Sequence, residues 1–296
     1  MKTKQNLIIG FIGLGNMGSR MVKNLLNAGY EILCYDIDKT KSEKMHKIGA
    51  RVAKDSTQVV KESDIVMTSL RSSDVFFNVA ENYFIPNATT GQIFIDLGTS
   101  EVEKTQALAL ELSKKGATLI DAPVSGGPHG SETGTLRIFV GGEAEVVENC
   151  RPLLEVLGEP QFVVHCGASG AGQIVKGVNQ LAMGLGAAAY MEAMAFGVCA
   201  GIDPKAIRNA VGMGDGWREE FDKIAKRIVS GSGKSLVVKY PELPYFLAAA
   251  ETLDFKIPLT ETLYDFCKTG TYEMFDNMNR PSRSFWHELT KESDNE

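Results

Sequence analysis

The sequence predicts a doubly wound α/β domain followed by an all-α domain built on a long central helix, and three observations carry that prediction. Short apolar runs alternate with amphipathic stretches through the first half of the 296 residues, as a largely parallel sheet with helices on both faces requires. The alternation stops near Gly167. From Gly170 to Ala200 the chain is one helix-like stretch rich in Gly, Ala and Met, and no convincing strand follows it.

The elements follow in order. The first run, Leu7–Ile12, looks briefly like a signal-peptide core, but glycines break it and it leads into a patterned domain, so it reads as a buried first strand. Further strands are expected at Glu31–Asp36, Asp64–Leu70, Gln92–Leu97, Ala117–Asp121, Leu136–Val140 and Gln161–Val164. Amphipathic helices are expected between them, clearest at Met17–Ala28 and Val102–Lys115. Gly201 fits a helix stop and Asp203–Pro204 a helix start. The natural boundary falls near residue 166, giving domains of 1–166 and 167–296. The longest stretch of small apolar residues, Leu181–Met191, is too short to span a bilayer.

Composition narrows the function. With 44% hydrophobic and 23% charged residues the chain is globular and not disordered. Its net charge of −6 and lack of a long basic run argue against nucleic-acid and membrane partners. The cysteines, Cys34, Cys150, Cys166, Cys199 and Cys267, are odd in number and lack CxxC spacing. They read as reduced thiols of a cytoplasmic protein, with no disulfide framework and no zinc site.

Gly13, Gly15 and Gly18 form GxGxxG directly after the first strand and at the start of a helix, with Leu14, Asn16 and Met17 between them. The first glycine permits a tight turn, the second lets the backbone approach a pyrophosphate, and the third allows helix and strand to pack closely. The helix amides then face the phosphates. Asp36 ends the second strand, 18 residues after Gly18. A carboxylate there accepts hydrogen bonds from the adenosine ribose and repels a 2′-phosphate, which favours NAD over NADP. Lys39 and Lys41 soften that preference, and the plainer reading is that Asp36 only begins a turn. The first domain is therefore expected to be a Rossmann-type NAD(P)-binding domain.

Three later stretches are unusual. In DAPVSGGPHGSETGTLRIFVGG, from Asp121 to Gly142, the amides around Ser125, Gly126 and Gly127 suit a carboxylate nest, although such loops are often only tight connections. In GASGAGQIVKGVNQ, from Gly167 to Gln180, Lys176, Asn179 and Gln180 share one helix face. Lys176 lies among Ile174, Val175, Val178 and Leu181, where desolvation would make it an acid/base near neutral pH. Alone, such a lysine reads as one that snorkels to solvent. Lys239 precedes a proline-containing turn and by itself is an ordinary basic residue.

Together these motifs resemble the β-hydroxyacid dehydrogenase family, the group that includes 3-hydroxyisobutyrate dehydrogenase and tartronate semialdehyde reductase. The resemblance runs from GFIGLGNMGSRMVKNLLNAGY at Gly10 through DAPVSGGPHGSETGTL and GAGQIVKGVNQ to the region of Lys239. It implies an NAD(P)-dependent enzyme that moves a hydride between nicotinamide and a small carboxylate-bearing hydroxy acid or its semialdehyde, and it implies a homo-oligomer, dimer or tetramer. Lys176 matches the family's general acid/base, and Asn179 the asparagine that helps orient substrate. Ser125, Gly126 and Gly127 match the substrate-carboxylate loop. Thr99 and Leu70 match residues beside the nicotinamide, and Lys239 one lining the cleft. Trp217 looks like the aromatic of the substrate-pocket loop.

Departures from the family pattern surround these positions. Gln180 stands where a second asparagine is usual, Gly98 for serine, Val102 for proline, Arg71 for proline and Tyr240 for aspartate. They put the substrate in doubt and leave the chemistry in place. Arg71 and Arg218 would suit a second acidic group on the substrate, unless they simply face solvent. Two rival readings stay open: an imine reductase on the same scaffold, and a nicotinamide-binding homologue without catalysis.

Overall fold

A computed structural model describes residues 7–230 and 240–267. The chain divides into two compact units, residues 1–177 and 178–296.

In the first unit all seven expected strands are present within one nine-stranded sheet: β1 (Ile8–Ile12), β2 (Glu31–Tyr35), β3 (Arg51–Val52), β4 (Ile65–Thr68), β5 (Ile93–Asp96), β6 (Thr118–Asp121), β7 (Val124–Ser125), β8 (Leu136–Gly141) and β9 (Gly158–Gly167). The spatial order is β3-β2-β1-β4-β5-β6-β8-β7, with β9 paired to β8. Strands β1 to β6 are mutually parallel, while β8 runs antiparallel to β6 and β7. The order reverses at β1, so the turn after β1 opens at the topological switch point, where such sheets bind ligands. β3 and β7 were not anticipated, because two residues are too few to show an alternating pattern.

Helices α1 (Gly18–Asn27), α2 (Lys39–His46), α3 (Ser56–Glu62) and α4 (Ser73–Val79) each follow one of the first four strands. Asp38, Asp55 and Ser72 cap α2, α3 and α4 by accepting the amides of Thr40, Gln58 and Val75. α4 continues through a π-helical turn, Ala80–Phe84, into α5 (Ile85–Asn87). Then come α6 (Val102–Ser113), α7 (Gly127–Thr133), α8 (Ala144–Leu154) and α9 (Ala171–Cys199).

The strands read as continuous apolar runs because both sheet faces are covered. Ile9 and Phe11 of β1, Ile32 and Cys34 of β2, and Ile65 and Met67 of β4 join one core. Their neighbours Ile12, Leu33 and Val66 join the other. Burial pushes the thiols of Cys34 and Cys150 up to about 11 and about 12, so they behave as small hydrophobes.

The second unit is helical over its described residues: the rest of α9, then α10 (Pro204–Val211), α11 (Trp217–Val229), α12 (Leu243–Thr252) and α13 (Pro258–Cys267). Gly201, at φ 85°, ends α9. Asp203 caps α10 with Pro204 in its first turn, as the sequence predicts. Met191, Met194 and Ala195 of α9 share a core with Phe221, Ile228, Leu243, Phe246 and Leu263.

The long helix expected over Gly170–Ala200 is α9, Ala171–Cys199. The bilayer expectation changes: the whole helix, unlike the Leu181–Met191 run within it, is long and apolar enough to cross a membrane by length and composition. The secondary structure changes at the expected place, after β9, but the division between compact units falls inside α9, at 177/178. The reason is local: the first turns of α9 are hydrogen-bonded to β6 and to the loop after β5, both in the first unit.

Candidate active site

The glycine turn after β1 fits the part the sequence gives it. Gly13 adopts φ 97°, and its amide donates to Tyr35 at 3.0 Å. A Cβ on Gly18 would collide with the Gly13 carbonyl oxygen, so only glycine lets α1 start there. A Cβ on Gly15 would meet nothing within 4 Å, which leaves the open approach that a pyrophosphate needs. Asn16 and Met17 complete the turn; the Asn16 carbonyl and side-chain oxygen accept from Arg20. Leu14 donates its amide to Asp36 Oδ2 at 2.7 Å, and Asp36 Oδ1 accepts from the Asp38 amide at 2.9 Å. The Asp36 carboxylate is thus fixed beside the glycine turn and does more than begin a turn of its own. Lys41 lies 3.5 Å from Asp36 Oδ1.

The second part is the loop after β5. Asp96, buried at its base, accepts from Thr68 Oγ1 at 2.9 Å, Ser100 Oγ at 2.7 Å and the Gly98 amide at 3.0 Å. Burial pushes its carboxyl up to about 6, against the lowering effect of those three bonds. A side chain at Gly98 would crowd Asp96 Oδ1 at 3.1 Å. Thr99 is half-buried at the tip of this loop. Leu70, after β4, packs against the second core, and its Cδ2 would stand 2.9 Å from a Cβ on Gly13.

The third part centres on the start of α9. Asp121, at the end of β6 and fully buried, accepts the Gly170 amide at 2.8 Å and the Gln173 amide at 3.1 Å. A carboxylate at a helix N-terminus satisfies otherwise orphaned donors and complements the helix dipole. Burial still raises the Asp121 carboxyl above the usual carboxylate range. Capped in this way, α9 aims Lys176 inward. Lys176 is 3% exposed, and its Nζ donates to the Val124 carbonyl at 2.8 Å, so the snorkelling alternative is set aside. The Val124 carbonyl belongs to the peptide joining Val124 to Ser125. The amine therefore lies beside the Ser125–Gly127 turn, where Gly126 and Gly127 adopt φ 134° and 60° and are exposed.

Other residues singled out by the sequence fall as follows. Asn179, half-buried, donates to Met183 Sδ at 3.6 Å. Gln180 is buried and donates to Glu242 Oε2 at 2.7 Å, so its departure from asparagine serves a bond inside the second unit. Trp217 begins α11 and is 54% exposed. The Arg218 guanidinium donates to the Val211 carbonyl at 2.8 Å and lies over the Trp217 ring. Arg71 is exposed. Lys239 lies outside the described residues. Among the described residues, no group of three or more His, Cys, Asp or Glu is placed to hold a metal ion. Asp96, Asp121 and Gln173 were not singled out by the sequence. Their roles arise from long-range bonds, and only the position of each acid at a strand end hinted at them.

The geometry agrees with comparison to known proteins. Residues 8–170 match the model for the NAD binding domain of 6-phosphogluconate dehydrogenase. Residues 170–277 match the model for the NAD-binding region of NADP-dependent 3-hydroxyisobutyrate dehydrogenase. The chain belongs to the β-hydroxyacid dehydrogenase family. Among relatives of this family, 2-(hydroxymethyl)glutarate dehydrogenase of Eubacterium barkeri is 32% identical over 87% of both chains. A probable mitochondrial 3-hydroxyisobutyrate dehydrogenase of Dictyostelium discoideum is 36% identical over 69% of this chain, a match spanning 64% of that relative, under two thirds of its length. The solved 3-hydroxyisobutyrate dehydrogenase of Mycobacterium tuberculosis with L-serine superposes with a TM-score of 0.79 at 25% identity, covering 96% of this chain and 99% of that one. Imine reductases also share the fold, one from Streptomyces aurantiacus at 21% identity and a TM-score of 0.59, a likeness of fold alone.

Proposed function

We propose that this β-hydroxyacid dehydrogenase family member interconverts a small β-hydroxy acid and its semialdehyde, with NAD(P) as the redox partner and Lys176 as general acid/base. When bound, the nicotinamide supplies the hydride chemistry. The residues present suit it: the Gly13–Gly18 turn would hold the pyrophosphate and Asp36 the adenosine ribose, while Leu70 and Thr99 are assigned to the nicotinamide side on family resemblance. The Asp36 carboxylate supports NAD over NADP, with Lys41 moderating the choice. Lys239 takes its place in the cleft on family resemblance alone.

The observation that carries the reading is the buried Lys176 amine on the Val124 carbonyl, next to the Ser125–Gly127 turn. The turn's amides receive the substrate carboxylate and so fix which carbon is presented. Lys176 takes the hydroxyl proton in oxidation and returns it to the forming alkoxide in reduction. Asn179 and Trp217 are assigned to substrate binding on family resemblance. An imine substrate has no need of a carboxylate turn, which favours a hydroxy acid. We also read the chain as a homo-oligomer, since α9 leaves Val178, Met183 and Phe196 exposed. The free thiols support a cytoplasmic setting.

The test is turnover of 3-hydroxyisobutyrate, glycerate, tartronate semialdehyde, 4-hydroxybutyrate, serine and a cyclic imine, each with NAD and NADP. Turnover of at least one hydroxy acid, higher kcat/KM with NAD, and a loss of about 10²-fold or more in Lys176→Ala with cofactor affinity retained are expected. Near-normal turnover in Lys176→Ala, or activity on the imine alone, would overturn the reading.

A further inference from the structure

Gln173 is fully buried and fully engaged, in a place where an apolar side chain would fill the same space. Its side-chain Oε1 accepts the Ser100 amide at 2.9 Å, and its Nε2 donates to the Gly98 carbonyl at 3.0 Å. One amide thus pairs with the backbone on both sides of Thr99, as a neighbouring strand would. Its own main-chain amide is held by Asp121. Lys176 is three residues further along α9, on the same side of the helix.

We propose that Gln173 is a positioning residue that locks the Gly98–Ser100 loop to the helical turn carrying Lys176, and so sets the spacing between the nicotinamide-side loop and the proton-transferring amine. The inference rests on the reading of Lys176 given above. Asp96 grips the same loop from the sheet side, through Ser100 Oγ and the Gly98 amide. Gln173 alone, among the bonds described to this loop, links it to α9. Hydride and proton transfer need their two partners in register, and a misplacement of about 1 Å far from the reacting atoms can lower turnover about 10²-fold.

The test compares Gln173→Met, which keeps length and loses both bonds, with Gln173→Glu. The latter keeps an acceptor for Ser100 but sets a carboxylate oxygen against the Gly98 carbonyl. Gln161→Ala is the control; Gln161 is exposed on β9, and its side-chain amide donates to Glu159 Oε2 at 2.6 Å. In cofactor-free protein, hydrogen exchange should quicken about tenfold or more in the peptide covering residues 97–101 of Gln173→Met, and stay unchanged over β1 and α1. With substrate, kcat should fall about 10- to 100-fold with KM values within about threefold. The primary isotope effect for substrate deuterated at the carbinol carbon should rise.

Faster exchange at 97–101 with unchanged kcat and isotope effect would reduce Gln173 to a structural bond and overturn the proposal, as would unchanged exchange. Should Gln173→Met fail to fold, the same readouts on Gln173→Glu decide. An inactive wild type sinks the functional reading and the proposal with it, whereas an active wild type with an unaffected Gln173→Met sinks only the proposal.

Discussion

The glycine turn after β1 and the one before α7 use the same residue type and hold their helices by different means. In the first, neighbouring backbone leaves no choice: a Cβ on Gly18 would strike the Gly13 carbonyl, and one on Gly13 would strike the Ser69 carbonyl. In the second, a Cβ on Gly126 would meet the Leu136 side chain at 3.1 Å and backbone no nearer than 3.6 Å, and one on Gly127 would meet open space. That turn is steadied from behind. Ser131 of α7 donates to the Met17 carbonyl at 3.0 Å, Asn24 of α1 donates to the Ser131 carbonyl at 2.9 Å, and Glu132 pairs with Arg20 and Lys23 at 3.0 and 2.9 Å. The turn after β1 is fixed by sterics, and the turn before α7 is tied to α1 through polar contacts.

Alanine substitutions sharpen or break this contrast, and the largest effect on stability should come from Gly18→Ala. Its methyl must displace main chain, and urea unfolding should show a loss of about 1–3 kcal/mol. Gly127→Ala adds no collision but holds alanine at φ 60°, so the same measurement should show a loss of about 1–2 kcal/mol, at the lower end of the Gly18 range or below it. A greater loss for Gly127→Ala than for Gly18→Ala would invert the comparison. Gly15→Ala should leave stability within about 0.5 kcal/mol, since nothing stands within 4 Å of the new methyl. Its effect belongs to the ligand: the NAD Kd, measured by titration calorimetry, should rise about tenfold or more, worth about 1.4 kcal/mol. An unchanged Kd would mean that the open space at Gly15 is not where the pyrophosphate lies.

Much of the fold was legible because its signals are local. The seven longer strands announced themselves as apolar runs, several ending at Gly, Asp or Ser, and helix ends such as Gly201 and Asp203–Pro204 follow from backbone preference alone. β3 and β7, at two residues each, carry too little pattern to see. The site was legible where a motif spans few residues, as in Gly13–Gly18 and Ser125–Gly127. The bond from Arg218 to the Val211 carbonyl was not legible, because residue type does not reveal which carbonyl a guanidinium meets.

The sequence by itself determined the alternating architecture, the switch to helix after Gly167 and the glycine chemistry of both turns, since these depend on periodicity and on φ values open to single residues. Only tertiary structure decided that Lys176 is buried against Val124, that Asp121 caps α9 from 49 residues away, and that Gln173 pairs with a loop 73 residues earlier. Such bonds form between groups whose partners are chosen by how the sheet and helix come together, and no spacing along the chain encodes them.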